Sequence, residues 1–600
     1  RQAFEDAVTL KDAMATWARF MDVNDGERSR KVAPYDELWV VTNGRFSDRA
    51  QQFCQCKDIR MVGWSESEHS LARMVDHQSL YPITVIEDLK QWELDAFAKK
   101  GYMLCREIAA KDPDKITKQT GIAAEWEPVG NGMQGFHCHL VPGMYLSGTE
   151  SQLIHHDNEG GWAGILQHGV PVFAGEEMEV ELWARARHRP CKVCIELQVP
   201  GQTPYERQTL LVDVTHWTRR TARFKAPATD AKIYFKILIP GDSVVAIDQI
   251  HFRPVGEPHV SRQLTESFRQ FPCPVLRFPG GCASCTYHWE HGIGPVHRRP
   301  VHDDPVFKYK MHYDFGTDEY LELCATHCIR PHITFNSTTA TPEDAAAWAA
   351  YIRQWYVHRN LPVPAAYFAV GNENYGPWEL GHMTGEMYVA QLREFVPAVR
   401  AAYPEARIMA LGEATSTGLR KQYDTAWRAT VLEQARDFFD LLAVTRYSHV
   451  SDNQPLGPAL AAIADAVAEK AADLQQLADD AGPAKQIALV EWNLWTRASH
   501  NDHAGFSEPN DIRHCLYSAG MLNAFCRLGD RLEVANFYSL INTMGMVHSH
   551  NGRVTLSDLV KVFNLYAPAL PGDVLESTLT APPKTIDATF LRNAGQTYGF

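Results

Sequence analysis

The chain has 600 residues, 45% of them hydrophobic and 22% charged, a balance that excludes a disordered or fibrous protein. That length exceeds one ordinary core and predicts two to four domains. A formal net charge of -14 argues against the basic face of a general nucleic-acid binder and is compatible with a neutral substrate such as a sugar.

Residues 1–118 mix helices with one strong strand, "ELWVVTN" (37–43), and end in a Lys/Asp-rich stretch. The lysines of "KKGYMLCREIAAKDPDKITK" alternate with acids, which describes a solvated helical face and not a phosphate-binding patch. Residues 119–159 are short and Gly-punctuated, with a strand expected near His137 to Leu146. From 160 to 255 come alternating segments such as "EEMEVELWARAR", "CKVCIELQV" and "KIYFKILIP", separated by turns, which predict a β-sandwich.

Beyond Val255 the texture changes to strand-then-helix units. Strands are predicted at 274–281, 330–336, 365–373, 406–412, 440–449, 486–493 and 532–542. The helix "TPEDAAAWAAYIRQW" opens with Thr341 as N-cap, Pro342 at the first helical position and Asp344 where a capping box needs an acid. Such alternation predicts a parallel β/α architecture over 256–570. With the strand near His137 as an eighth, a (β/α)8 TIM barrel closes; a doubly wound sheet is the alternative, but its Gly-rich phosphate loop is absent.

Thirteen cysteines, an odd count, sit mostly in apolar runs and are expected as buried free thiols, which leans towards a reducing, cytoplasmic compartment. Of two CxxC pairs, Cys191/Cys194 falls on opposite faces of a strand and Cys282/Cys285 follows a Gly-Gly turn, so no shared metal site and no cofactor are expected. No run of 18 apolar residues predicts a membrane span. The chain begins at Arg1 without a visible signal peptide, and export stays open.

In a barrel the chemistry sits at the carboxyl ends of the strands. Those ends carry Arg277, Asn336, Asn372-Glu373, Tyr447, Glu491 and Asn542, with Trp378, Trp492 and Trp495 nearby. Two carboxylates suit glycoside hydrolysis: one acid protonates the leaving oxygen and one carboxylate attacks or assists at the anomeric carbon. Counted as strands four and seven of eight, their bearers would place the carboxyls about 5 Å apart, the spacing for retention. The aromatic rings offer stacking faces for sugars.

"RFPGGCASCTYHWEHGIGPVHRRP" (277–300), "DFGTDEYLELC" (314–324), "TPEDAAAWAAY" (341–351), "VGNENYGPWELGH" (370–382) and "VEWNLW" (490–495) resemble, in order, the signature blocks of glycoside hydrolase family 51, the α-L-arabinofuranosidases. The resemblance covers about 121–600. It implies Glu373 as general acid/base, Glu491 as nucleophile, Arg277 as support for the nucleophile, Asn372 at the sugar's 2-hydroxyl and Tyr447 near the nucleophile. Asn336 and Trp495 match subsite positions, and Asn542 completes the substrate-binding set. The segment 160–255 is similar to the carbohydrate-binding-like sandwich of some members. Residues 571–600 correspond to the start of a C-terminal β-sandwich that is cut short.

The chain departs from the family pattern at Val490, where Asp is common, at Thr445-Arg446-Tyr447 in place of His-Tyr-Tyr, and at Ser539 in place of a substrate-contacting Gln. The early Glu that contacts the furanose has no counterpart among the motifs. These departures leave the chemistry intact and open the sugar identity. The expected activity is release of arabinofuranose from arabinose-containing polysaccharide or oligosaccharide. The alternatives are an endoglucanase or xylosidase on the same scaffold, or a non-catalytic carbohydrate- or DNA-associated fusion. A homo-oligomer is compatible with either enzyme.

Residues 1–118 stand apart. "YDELWVVTNGRFSDRAQQFCQCKDIRMVGWSESEHSLARMVDHQSLYPITVIEDL" resembles the later half of an Mrr-like restriction endonuclease domain, followed by a similar helical segment. Such nucleases hold a divalent metal with Asp and Glu-x-Lys, and no Glu-x-Lys occurs in residues 1–45, so an inactive appendage is expected.

Overall fold

The computed structural model describes residues 7–27, 37–42, 45–63, 103–105, 122–123, 126–131, 136–142, 144–157, 159–172, 174–199, 201–204, 206–213, 216–225, 230–256, 262–306, 310–414, 426–451, 454–496, 510–550, 553–570, 572–575, 589–593 and 596–599. The chain divides into two compact units, residues 1–121 and 122–600. No helix among the described residues is long and apolar enough to cross a membrane.

In the first unit Trp39–Val41 pairs in parallel with Arg60–Val62, and Ala7–Val8 in parallel with Arg45–Phe46. Helices Leu10–Glu27 and Asp48–Cys56 pack on them through a small core of Val8, Ala13, Phe46, Ala50, Cys54 and Ile59. Ser47 caps the second helix by accepting from Ala50 N. Parallel strands bridged by a helix make this the small α/β appendage expected. The part of the nuclease-like stretch over 64–89 and the helical segment over 89–112 lie outside the described residues, save 103–105.

The second unit opens with a β-sandwich of ten strands. One five-stranded sheet runs in the order Glu206–Val212, Cys191–Gln198, Asp230–Pro240, Trp162–Val172, Glu127–Asn131. The other runs Thr218–Lys225, Glu177–Ala186, Ser243–Pro254, Glu150–His156, Phe136–Pro142. All pairings are antiparallel, and alternate residues such as Val180, Leu182 and Ala184 on one sheet and Ile233, Phe235 and Ile237 on the other are buried between them.

This corrects the expected boundary. The strand near His137 does not belong to the barrel: Phe136–Pro142 pairs antiparallel with Glu150–His156, and Glu127–Asn131 pairs with Trp162–Val172. The sandwich therefore starts at Glu127 and not at 160. Both strands need an antiparallel partner for their ladder, and the partner lies a short turn or a few tens of residues downstream.

The barrel sheet has seven parallel strands in sequence order: Val275–Phe278, Arg330–Phe335, Tyr367–Val370, Arg407–Ala414, Leu441–His449, Gln486–Trp495 and Leu532–Phe537. All seven lie where the alternation placed them, but the seventh ends at Phe537, so Asn542 lies in the loop beyond it. Glu373 thus follows the third strand and Glu491 lies on the sixth. The first and seventh strands come within 8 Å between Cα atoms. Side chains close the interior: Glu533 on the seventh strand accepts from Tyr367 OH at 2.8 Å and pairs with Arg407, and Asn536 donates to His332 Nδ1 at 2.8 Å. Helices cover the outside. Pro342–His358 starts with the Thr341/Asp344 capping box, and Leu456–Ala481 is the long Ala/Leu-rich helix. A three-stranded antiparallel sheet of Asp573–Leu575, Phe590–Asn593 and Gln596–Gly599 ends the chain.

Candidate active site

The third barrel strand, "YFAV", is wholly buried and aims its carboxyl end into the barrel mouth. Gly371 terminates it with φ +80°, and a Cβ there would stand 2.1 Å from Asn374 Oδ1, so glycine is required twice over. Two residues on, Glu373 has φ +42°, a left-handed conformation that costs a side-chain-bearing residue about 1–3 kcal/mol. The surrounding bonds hold it there. Glu373 Oε1 accepts from Thr445 Oγ1 at 2.6 Å and from Tyr375 OH at 3.2 Å, and Oε2 accepts from Trp378 Nε1 at 2.7 Å. Its side chain is buried, so these three donors take the place of water.

Glu491 is set by a β-bulge. Along the fifth and sixth strands Val444 faces Leu489, but the next pair is Thr445 with Glu491, which leaves Val490 as the extra residue. Glu491 Oε1 pairs with Arg277 Nη1, and Oε2 accepts from Tyr447 OH at 2.7 Å. Burial pushes the Glu491 carboxyl above the usual carboxylate range; Arg277 pulls it back, the nearby Glu373 charge raises it, and the bonds from Tyr447 and Arg277 lower it. Tyr447 is itself held protonated, first by burial and then by the Glu491 charge, which suits a donor. A Cβ on Gly281 would lie 2.5 Å from Glu491 Oε1, so the backbone after the first strand passes directly against this carboxylate.

Arg277 ties the two halves together. Its Nε donates to Thr334 Oγ1 at 2.9 Å and its Nη2 to Asn372 Oδ1 at 2.8 Å. Asn372 Nδ2 in turn donates to Glu379 Oε1 at 3.0 Å, and Cys285 Sγ donates to Glu379 Oε2 at 3.2 Å. Burial raises the Glu379 carboxyl as well. One connected network therefore runs from Tyr447 through Glu491, Arg277 and Asn372 to Glu379.

The remaining expected residues separate. Trp495 stands beside Tyr447 with ring centroids 5.4 Å apart, at the carboxyl end of the sixth strand. Asn336 is buried and spends its amide on the local turn: Oδ1 accepts from Thr338 N and Thr339 N, and Nδ2 donates to Thr339 Oγ1 at 2.8 Å. Asn542 is exposed, and its Oδ1 accepts from Ser549 N at 2.8 Å. Trp492 does not flank the site. As the strand neighbour of inward-facing Glu491 it points outward from the barrel, where it is buried against Phe525, Phe537 and Phe563. His382 lies exposed in the loop, whereas Trp378 reaches Glu373. Tyr375 and Glu379 were not singled out from sequence; both belong to the same "GNENYGPWEL" stretch, and a glutamate six residues beyond Glu373 was the available signal.

The surroundings of this site match known families. Residues 267–450 match the α-L-arabinofuranosidase 1 domain, and residues 491–593 match the α-L-arabinofuranosidase C-terminal domain. A probable α-L-arabinofuranosidase C of Aspergillus niger is 25% identical over 342 residues, 54% of this chain and 66% of its own length. An intracellular exo-α-L-arabinofuranosidase of Bacteroides ovatus is 25% identical over 344 residues, 52% of this chain and 65% of its own. The chain thus spans just under two thirds of these relatives. The solved structure of an arabinose-bound α-L-arabinofuranosidase, MgGH51, shares the fold at 16% identity, covering 79% of each chain with a TM-score of 0.57.

Proposed function

We propose that the chain is a retaining glycosidase of glycoside hydrolase family 51, the α-L-arabinofuranosidases, releasing terminal arabinofuranose from arabinose-containing polysaccharides or oligosaccharides. The observation that carries the reading is the unequal dressing of two facing carboxylates. Glu491 is paired with a guanidinium and a phenol, whereas Glu373 is held only by neutral donors.

In this reading Glu491 attacks the anomeric carbon with a lone pair of its carboxylate, and the glycosidic C–O bond breaks. Glu373 gives its proton to the departing oxygen. Once the aglycone leaves, Glu373 takes a proton from water, the resulting hydroxide attacks the anomeric carbon, and Glu491 is released. Arg277 and Tyr447 favour the charged form of Glu491 in the free enzyme and stabilise it again as it leaves. Asn372, fixed between Arg277 and Glu379, is placed to meet the sugar hydroxyl next to the anomeric carbon.

A panel of nitrophenyl glycosides with NMR of the first-formed anomer tests the proposal. Turnover of the α-L-arabinofuranoside with retained configuration is the expected result, and it should vanish in Glu491→Ala. Inversion, or unchanged turnover in that variant, would sink the assignment. A sister specificity, for glucan or xyloside, is favoured by Thr445 standing directly on Glu373; turnover of those glycosides without the arabinofuranoside would select it.

A further inference from the structure

Thr445 is the residue of the fifth strand that touches Glu373, and the ladder is broken on both of its flanks. Towards the fourth strand Leu411 faces Ala443, but the next pair is Ala414 with Thr445, so Gly412 and Glu413 together stand opposite Val444. Towards the sixth strand Val490 is the extra residue. Such breaks leave backbone carbonyls without a ladder donor, and a buried carbonyl needs another.

Here the donor is Arg446. Strand alternation sends Thr445 and Tyr447 towards the two carboxylates and turns Arg446, between them, outward from the barrel. The side chain is wholly buried there. Its Nη1 donates to Thr445 O at 2.7 Å and to Glu413 O at 3.1 Å, one carbonyl from each side of the break. Its Nε pairs with Asp473 on the helix Leu456–Ala481. Asp480 lies seven residues further along that helix and so on the same face. Arg428 Nη1 donates to Asp480 Oδ2 at 2.7 Å, while Arg428 Nη2 pairs with the Glu413 side chain. The carboxyl ends of the fourth and fifth strands are thus tied to one helix, at the residues that flank Thr445.

Stability alone does not explain the arrangement. A buried ion pair gains little over apolar side chains of the same volume, so what a wholly buried guanidinium supplies is placement. Placement is also what Thr445 requires. A threonine hydroxyl is borne on Cβ and has no reach of its own, so it meets Glu373 only where the backbone holds it. Thr445 and Arg446 are, moreover, adjacent positions at which the chain departs from the family pattern.

We propose that Arg446 is a positioning residue for the proton donor: it fixes the Thr445 backbone and, with it, the hydroxyl that orients Glu373. Its part in catalysis rests on the roles assigned to Glu373 and Glu491 above.

Leaving-group dependence tests this, read as the ratio of kcat on a dinitrophenyl arabinofuranoside, which needs no protonation, to kcat on an alkyl arabinofuranoside, which does. Arg446→Met/Asp473→Leu removes both charges, so neither ion of the pair is left without the other. The ratio should rise about tenfold, a part of the ~100-fold or more that a positioned acid contributes. Arg446→Lys keeps a charge opposite Asp473 and N–H donors for the carbonyls, and should hold the ratio nearer to the parent's. A role in the fold alone would lower both rates together, and an unchanged ratio in the double variant would overturn the proposal. Should that variant not fold, Asp473→Asn leaves Arg446 in place with a weaker tether; the ratio should rise in the same direction, and an unchanged ratio would again overturn it. A crystal structure of the variant separates this inference from the catalytic reading. Thr445 Oγ1 should leave hydrogen-bond reach of Glu373 Oε1 whatever sugar the enzyme takes, and an unmoved contact would overturn the positioning role. Absence of arabinofuranoside turnover in the unmodified chain would instead count against the function proposed above alone.

Discussion

Thr445 Oγ1 lies 2.6 Å from Glu373 Oε1, and Tyr375 OH lies 3.2 Å from both atoms. The proposed proton donor is thus positioned from the fifth strand, by a residue 72 positions away in sequence. Thr445→Val keeps the shape and removes the hydroxyl. With Tyr375 and Trp378 still bonded to Glu373, the loss should be near 1.4 kcal/mol of transition-state stabilisation, about tenfold in kcat. It should be seen with glycosides of poor leaving groups and stay under twofold with dinitrophenyl glycosides, which need no protonation. KM should be little altered. An equal loss on both substrate types would mean that Thr445 supports the fold and not the acid.

Arg277 is the charge that opposes the burial of Glu491. In this reading Glu491 must be ionised to attack, so its elevated carboxyl sets the acid limb of kcat/KM above the usual carboxylate range. Removing the guanidinium removes a lowering influence, and the acid limb should move to higher pH. Arg277→Gln is the variant of choice, because it removes the charge and keeps an amide that can donate to Glu491, whereas Arg277→Ala leaves the buried carboxylate with no donor at this position, at a cost of about 3–5 kcal/mol. A pH profile of kcat/KM identical to the parent's would show that Arg277 does not control this ionisation.

Much of this arrangement was legible in the sequence. The seven barrel strands are legible because apolar runs alternate with helical stretches, one of them opened by the local signal of Thr341 and Asp344. Glu373 and Glu491 stand out because each comes at the end of an apolar run. What was hidden depends on pairing. The strand at 136–142 was misplaced because its ladder partner is not encoded in its own alternation. Trp492 is misplaced because consecutive strand residues face opposite sides, so the neighbour of Glu491 points away from the site. Glu379 is not singled out by the sequence, because only the turn of the backbone brings it beneath Asn372.

Glu379 is also a stability switch. Burial raises its folded-state carboxyl above the unfolded value, so its contribution is full below the unfolded value and is lost as pH rises through the folded one. Glu379→Gln keeps an acceptor for Asn372 Nδ2 and removes the charge. The variant should melt above the parent at pH 8, and the difference should shrink towards zero near pH 4, where the parent's carboxyl is neutral. Thermal melts across that range check it. Activity should persist in the Gln variant and fall in Glu379→Ala, where Asn372 loses its acceptor. A Gln variant that is less stable at pH 8 would show that the charge is well compensated.

Gly281 and Gly371 separate a chemical need for glycine from a backbone one. Gly281 has φ -87°, outside the left-handed region, and its Cβ would stand 2.5 Å from Glu491 Oε1 and then 3.4 Å from Asn372 Oδ1. Gly281→Ala should therefore displace the carboxylate and leave the strand intact. A displacement near 1 Å at a reacting group costs about 100-fold, so kcat should fall by that order while the melting temperature changes by only ~2 °C. Gly371→Ala meets Asn374 and Ser337 within 2.5 Å at φ +80°, and there the backbone itself is strained. It should lower the melting temperature clearly, by ~1–2 kcal/mol or more of stability. Measuring kcat and melting temperature on both variants decides the matter: a Gly281→Ala protein that melts early and keeps its kcat per folded molecule would remove Glu491 from the place assigned to it.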